Sequence, residues 1–322
     1  MSKSGDYLII GSRGSQLALW QTEWVKSELC KKFPSLDITI LTVATTGDKV
    51  LDSPLAKIGD KGVFTKEIEL ALLEQRIDLA VHSLKDLPTM LPQGLTIGAI
   101  TAREDVRDVF IAHPKKSYKG IHDIPQGGTI ATGSLRRRSQ LMNWRRDLNI
   151  VDIRGNLQTR FAKLDASDWD GMILALAGVK RLGLEERITE IIPLERMLPA
   201  VGQGALAIEV RENDREILHY ISELASAATT FAALAERAIL RHLEGGCQIP
   251  IGAYGRIVEN ILHLDALVGS IDGKSVVRGK IHGQPEQAES LGEQLGKILL
   301  QSGGKEILAQ IRRHETNEVP LV

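Results

Sequence analysis

A repeated alternation between short apolar runs and amphipathic stretches fills the first two thirds of this chain, and it limits the possible folds more than any other feature. Alternation of this kind is typical of open α/β sheets, and about ten such units are too many for one small sheet. We therefore predict two α/β domains. The predicted strands are residues 7–10, 37–43, 78–82, 95–100, 109–112, 129–132, 150–153 and 171–176, and the predicted helices are 16–33, 63–75, 134–147 and 156–165.

The last third has a different order. Three strand patterns follow one another at residues 251–258, 261–269 and 275–282, with helical patterns on both sides, which predicts a small α+β domain. Segments rich in turn residues and charges near 101–107 and 199–205 mark the expected boundaries. The predicted division is residues 1–101 with 203–224 as a discontinuous first domain, 102–202 as the second and 225–322 as the third.

Composition excludes several classes of protein. The net charge is −1 and aromatic residues make up 4% of the chain, which argues against a nucleic-acid partner. No apolar run is long enough to span a membrane, and the N-terminus has no signal-peptide pattern. The only cysteines, Cys30 and Cys247, form neither a disulfide framework nor a metal site. We expect a cytoplasmic protein without metal or membrane partner and, because no large apolar stripe demands a second chain, a monomer.

Cys247 has an unusual setting. It follows Gly245 and Gly246, which allow a tight turn with little steric cover over the sulfur, and Pro250 closes the segment. A thiol displayed in this way is suited to carrying an attached group. From the segment alone it could equally be a nucleophile, a redox sensor or incidental, whereas Cys30 lies in a helical stretch and reads as structural.

Arginines gather after several predicted strands. Arg13 lies in a glycine-rich turn that opens a helix, a position that favours anions, although an ordinary turn with a serine cap fits as well. Residues 134–138 contain three consecutive arginines, and Arg154 and Arg160 follow the next strand. A solvated basic face is the simpler interpretation of 134–138 alone. Together, arginines at strand ends indicate a ligand with several carboxylates or phosphates.

A third polar cluster follows the strand at 78–82. It places His82, Ser83, Lys85 and Asp86 on one loop. A carboxylate beside a lysine stays ionised, so Asp86 could stabilise a cation or transfer a proton. The alternative is an exposed loop with a capping aspartate, and for His82 we favour packing and hydrogen bonding beneath the site.

Taken together and in order, these segments resemble the porphobilinogen deaminase (hydroxymethylbilane synthase) family. Any one motif is weak, but eight in the same order over nearly the whole chain make coincidence implausible. The matching segments are residues 13–21, 46–48, 61–67, 82–88, 134–137, 154–156, 198–205 and 243–250.

The resemblance implies a fold and a reaction. Members have two open α/β domains that resemble type II periplasmic binding proteins, plus a small C-terminal α+β domain. They join four porphobilinogen molecules head to tail, release ammonia at each step and hydrolyse off a linear tetrapyrrole. A dipyrromethane cofactor, built from substrate and bound through a thioether, primes each chain, and its attachment point maps to Cys247.

The resemblance also assigns roles to residues. Asp86 matches the catalytic aspartate, and residues 57–64 match a loop over the site. The residues implied to bind cofactor and growing-chain carboxylates are Ser83, Lys85, Asp86, Thr132, Ser134, Arg136, Arg137, Arg154, Arg160 and Gln203. Those implied for the incoming substrate are Arg13, Ser15, Gln21, Phe64, Arg154, Arg160 and Arg181.

One departure and three rival functions accompany the resemblance. Many members carry two hydroxyl residues before Leu-Arg-Arg, whereas this chain has Thr132-Gly133-Ser134. The rivals are an anion receptor of the periplasmic type, a nucleic-acid binder and a thiol enzyme in which Cys247 is the nucleophile and His82 or His242 the base. The missing export signal, the net charge and the low aromatic content count against the first two.

Overall fold

The computed structural model describes residues 7–45, 65–243 and 249–317, with 314–317 as backbone only. The strands are β1 (Tyr7–Ser12), β2 (Asp37–Thr42), β3 (Leu79–Ser83), β4 (Leu95–Ile100), β5 (Asp108–Ala112), β6 (Thr129–Ala131), β7 (Asn149–Val151), β8 (Gly171–Ala175), β9 (Glu190–Ile191), β10 (Leu206–Arg211), β11 (Ile251–Val258), β12 (Ile261–Gly269) and β13 (Val276–Gly283). The α-helices are α1 (Gln16–Lys32), α2 (Lys66–Leu73), α3 (Leu135–Trp144), α4 (Leu157–Asp165), α5 (Leu176–Arg181), α6 (Arg215–Ser222), α7 (Ala227–His242), α8 (Ala288–Leu299) and α9 (Lys305–Asn317).

The chain forms two compact units. Unit 1 comprises Met1–Glu104, Lys180–Gly183 and Gln203–Thr230, and unit 2 comprises Asp105–Val179, Leu184–Gly202 and Phe231–Val322. The division into three domains at residues 101–102, 202–203 and 224–225 stays a prediction.

Unit 1 is built on a five-stranded sheet with the order β2-β1-β3-β10-β4. Strands β1, β2 and β3 are parallel, and β10 runs antiparallel to both β3 and β4. Strand β10, at Leu206–Arg211, is not among the strands predicted from the sequence. Its apolar side chains Leu206, Ile208 and Val210 join the buried core, which explains why this late segment is drawn into the sheet.

Unit 2 contains two sheets. The first has the order β7-β6-β8-β5-β9, with β6 parallel to β7 and β8 and with β5 antiparallel to β8 and β9. The second is the antiparallel meander β11-β12-β13. Leu262 and Leu264 of β12 belong to the same buried cluster as Leu291 and Leu295 of α8, so helix and sheet share one core.

These sheets confirm the predicted fold class: two mixed α/β sheets and a small C-terminal α+β part. Within residues 7–45, 65–243 and 249–317, no helix is both long enough and apolar enough to cross a bilayer.

Candidate active site

A recess of about 60 Å³ lies in unit 1, at the ends of the parallel strands β1 and β3. Ligands of open α/β sheets bind at the carboxyl ends of strands, because the loops there can present polar groups without disturbing the core. The lining residues are Arg13, Ser15, Leu17, Ala18, Gln21, Thr65, Val81, His82, Ser83 and Asp86.

Helix α1 positions one wall of this recess. Ser15 is its N-cap, and the Ser15 hydroxyl accepts a hydrogen bond from the Ala18 backbone N–H at 3.3 Å. One turn further on, the buried Gln21 donates from Nε2 to the Ser83 hydroxyl at 2.8 Å. Because Ser83 accepts this bond, its own hydroxyl proton remains available for a ligand.

Asp86 also lines this recess. It ends the single 3₁₀ turn Leu84–Asp86, which directly follows β3. Leu84 and Leu87 are buried on either side and fix the turn, whereas Asp86 is exposed. No residue in the described part of the chain makes a hydrogen bond to the Asp86 carboxylate. The half-buried Lys85 precedes it on the same turn.

A buried acid–histidine cluster forms the floor of the recess. His82 Nε2 lies 3.0 Å from Oε2 of Glu209, which is fully buried on β10. Burial raises the pKa of nearby Glu69, and the charge of Glu209 adds to this effect while the Thr65 hydroxyl and His82 oppose it. His82 therefore packs and hydrogen-bonds beneath the site, as the sequence analysis favoured.

Arg181 and Gln203 also belong to unit 1. Arg181 ends α5, donates from Nη2 to the Gly204 carbonyl at 2.7 Å and has its guanidinium 5.8 Å from the centre of the Trp20 ring. Burial lowers the pKa of Arg181 to about 10, against the opposing charge of Glu104. Gly204 has a φ of +91°, and a side chain there would lie 2.4 Å from the Glu104 carbonyl oxygen, so only glycine fits this contact.

In unit 2, the start of α3 gathers a second set of predicted residues. Ser134 is the N-cap: its backbone N–H donates to the buried Thr132 hydroxyl at 3.3 Å, and its own hydroxyl accepts from the Arg137 N–H at 3.5 Å. Between them, a Cβ on Gly133 would lie 2.7 Å from the Ile153 carbonyl oxygen. A side chain at this position of this chain would therefore require a backbone shift.

Arg136 and Arg137, in the first turn of α3, converge on Asp108 at the start of β5. Arg136 Nη1 donates to Oδ2 at 2.7 Å, and Arg137 donates from Nε and Nη2 to Oδ1 at 3.1 and 2.8 Å. Burial alone would raise the pKa of Asp108, but the charges and hydrogen bonds of the two arginines outweigh it and hold the pKa well below its usual range. Asp108 is thus ionised and fully buried.

Arg154 and Arg160 follow β7 and begin the next helix. Asn156 is the N-cap of α4 and accepts from the Thr159 N–H at 2.9 Å. Arg160, one turn into the helix, donates from Nε to the Gly155 carbonyl at 2.8 Å. Both arginines are half-buried.

The predicted residues thus fall into separate groups. The predicted loop at 57–64, including Phe64, lies outside the described residues, as do residues 46–48 and residues 244–248, which include Cys247. The sequence-based predictions did not include Asp108 or Glu209. Each is an acid next to apolar strand residues, a pattern that indicates a buried charge with a partner. Five predicted residues share the recess, namely Arg13, Ser15, Gln21, Ser83 and Asp86, and four others lie at the start of α3, namely Thr132, Ser134, Arg136 and Arg137.

Two protein families have models that match this chain. A family profile described as "Porphobilinogen deaminase, dipyromethane cofactor binding domain" matches residues 8–219, and one described as "Porphobilinogen deaminase, C-terminal domain" matches residues 230–301. Among solved structures, the periplasmic aliphatic sulphonate binding protein SsuA from Escherichia coli is similar at a TM-score of 0.40 and 13% identity, covering 75% of this chain and 71% of that one.

Curated relatives are much more similar in sequence. A porphobilinogen deaminase from Chlorobaculum parvum is 56% identical over 309 residues, which cover 95% of this chain and 98% of the relative. One from Carboxydothermus hydrogenoformans is 52% identical over 311 residues, covering 97% and 99%. The chain therefore belongs to the porphobilinogen deaminase family of tetrapyrrole biosynthesis and carries that family's dipyrromethane cofactor-binding domain.

Proposed function

We propose that this chain joins four porphobilinogen molecules head to tail, with loss of one ammonia at each addition, and that water then cleaves the bond to the primer and releases hydroxymethylbilane. Family membership supports the reaction. The observation that carries the assignment of the site is the exposed Asp86 carboxylate, which has no hydrogen-bond partner among the described residues and lines the same recess as Arg13, Ser15 and Gln21.

Asp86 is the proposed catalytic group. Loss of ammonia from the aminomethyl carbon of porphobilinogen leaves positive charge spread over the pyrrole ring and its N–H. A carboxylate held beside that N–H stabilises the charge without reorganising, an effect worth about 10²–10³ in rate in comparable sites. Asp86 can also accept the proton that the ring carbon releases when the new carbon–carbon bond has formed.

Arg13, Ser15 and Gln21 are the proposed ligands of the incoming substrate. Porphobilinogen carries an acetate and a propionate, and a guanidinium binds a carboxylate through two parallel hydrogen bonds. Ser15 and Gln21 are held by the cap of α1 and by Ser83, so they are positioned before substrate arrives. We assign Arg181 and Phe64 to the same task by their place in the family motifs.

The start of α3 is the proposed site for carboxylates of the cofactor and growing chain. Its residues fit an anionic group, because two guanidiniums that share one buried acid lie in the first turn of a helix whose N-terminus favours negative charge. When bound, dipyrromethane supplies the primer to which the first substrate is joined. By their places in the family motifs, the residues proposed to bind carboxylates of the cofactor and the growing chain are Ser83, Lys85, Asp86, Thr132, Ser134, Arg136, Arg137, Arg154, Arg160 and Gln203.

Cys247 is the proposed point of attachment, through a thioether that is retained from one round to the next. We further propose that the protein acts in the cytoplasm as a monomer, with porphobilinogen as its small-molecule partner. The low cysteine content, two residues in 322, supports a reducing compartment.

Intact-mass measurement tests the proposal. The purified chain should exceed its unmodified 35.3 kDa by two linked pyrrole units, and Cys247→Ser should lose both the added mass and activity. Cys30→Ser is the matched control, because Cys30 is a free cysteine in α1 that packs against the core of unit 1. A chain at its unmodified mass with normal turnover would contradict the cofactor assignment.

A further inference from the structure

Arg136 and Arg137 are not freely exposed cations. Their side chains are only 5% and 7% exposed, and that of Asp108 is completely buried. Each arginine also donates to a backbone carbonyl: Arg136 Nη1 to Leu198 at 2.6 Å and Arg137 Nη1 to Ile173 at 3.1 Å. Both guanidiniums are therefore fixed in position before any ligand binds.

The donors of this cluster are not all used. Arg136 Nε is buried, and no described residue accepts its hydrogen. Buried N–H groups of a guanidinium are normally satisfied, because leaving a charged donor without an acceptor is costly. The arginine pair thus has hydrogen-bonding capacity beyond what Asp108 and the two carbonyls take up.

The charges of the cluster sum to a definite value. Two guanidiniums and one ionised carboxylate leave a single positive charge, at the N-terminus of a ten-residue helix that itself favours an anion. One carboxylate neutralises this charge. A second carboxylate, or a dianion, would leave negative charge in a poorly solvated place.

We propose that Asp108 is a positioning and specificity-determining residue, which orients Arg136 and Arg137 and sets their site to accept one carboxylate of the oligopyrrole. The inference rests on the proposed function. Asp108 does not itself touch the ligand: it acts through the two arginines. Without it, two like charges face each other unbalanced and lose their common acceptor.

Four variants test this assignment. Asp108→Asn raises the charge of the site by one, Arg136→Met lowers it by one, and the double variant restores the original value. Asp105→Asn is the matched control, because Asp105 is a nearby acid of unit 2 whose bidentate partner, Arg107, is 40% exposed. For each, intact mass gives the fraction of folded chains that carry dipyrromethane, and kinetics gives kcat per loaded chain and KM for porphobilinogen.

Both single variants should lower kcat per loaded chain by about tenfold or more, with KM within about twofold, because displaced arginines disturb the bound chain and not the incoming substrate. The double variant should load at least about threefold better than either single, as expected for coupled sites. If the ion pair were purely structural, the double variant would be more stable than the single variants but would carry no more dipyrromethane per folded chain.

The opposite results are equally clear. The proposal is overturned if folded Asp108→Asn loads and turns over like Asp105→Asn, or if the double variant is no better than the worse single. Should Asp108→Asn fail to fold, the comparison of the double variant with Arg136→Met decides in the same way. If wild-type and Asp105→Asn chains lack the added mass, the proposed function fails and not this inference.

Discussion

Asp86 and Asp108 are two aspartates in very different surroundings. Asp86 ends a single turn on the surface of unit 1 and has no hydrogen-bond partner among the described residues, whereas Asp108 is buried in unit 2 and accepts three hydrogen bonds from two arginines. An acid that is already saturated holds cations in place. An acid that is left open can meet a charge that appears only during a reaction.

These surroundings predict different effects of the same chemical change. Converting the saturated acid to its amide should reduce both stability and the rate per loaded chain, whereas converting the open one should reduce the rate and leave stability nearly unchanged. The expectations that follow test this separation, beginning with the largest effect.

Asp108→Asn should lower the free energy of unfolding by about 3–5 kcal/mol, the usual cost of leaving a buried ionic partner uncompensated. Urea unfolding followed by circular dichroism measures it. The half-exposed pair of Asp105 provides the reference, and Asp105→Asn should cost less than about 1 kcal/mol. Equal losses in the two variants would remove the distinction between a structural and an ordinary surface acid.

Asp86→Asn should lower kcat by about 10²–10³ while its free energy of unfolding stays within about 0.5 kcal/mol of wild type. The variant should still carry the dipyrromethane mass, because the anchor is elsewhere in the chain. Rapid-quench measurement of a single addition separates chemistry from product release. Wild-type turnover would rule out Asp86 as the catalytic group.

Acid should remove the contribution of Asp108 to stability. The folded-state pKa of Asp108 is depressed, so its contribution is present above the unfolded pKa, about 3.9, and is lost as pH falls from there through the lower folded value. Unfolding free energies measured between pH 5 and pH 2 should therefore fall less steeply for Asp108→Asn than for wild type. Parallel curves would contradict the ionised, paired state of Asp108.

Glu69→Gln should give the smallest effect, and with the opposite sign. Burial raises the pKa of Glu69 in the folded state. Stability is therefore unaffected below the unfolded pKa, about 4.3, where both states hold the neutral acid, and it falls as pH rises from there through the folded pKa. The variant should match wild type near pH 4 and exceed it slightly at pH 7. Glu74→Gln, on an exposed pair with Arg76, should show no such gain. A stability loss at pH 7 would show that Glu69 is needed as an anion.

Local patterns were sufficient to predict much of this molecule. Apolar periodicity was sufficient to predict most strands and helices, and polar residues at strand ends were sufficient to single out Arg13, Ser83 and Asp86. Both signals can be read from a few neighbouring residues. Five of the predicted residues consequently share one recess.

Long-range pairing was not readable in the same way. Strand β10 carries Glu209 between the apolar residues Ile208 and Val210, and its partners β3 and β4 are more than a hundred positions away. The apolar neighbours of Glu209 indicate that it is buried, but nothing local identifies His82 as its partner. The same holds for Asp108, whose arginines lie 28 and 29 positions further on.

The place of β10 also has a consequence for synthesis on the ribosome. Strand β4 pairs only with β10 in its sheet, and β10 begins at Leu206, whereas β4 ends at Ile100. At about 5–20 residues per second, the emerging β4 waits on the order of 5–20 s for its partner. During that interval the backbone N–H and C=O groups of β4 lack the strand with which they pair in the native sheet and can pair with another strand instead. We therefore expect nascent chains to depend most on chaperones after β4 has been synthesised and before β10 has.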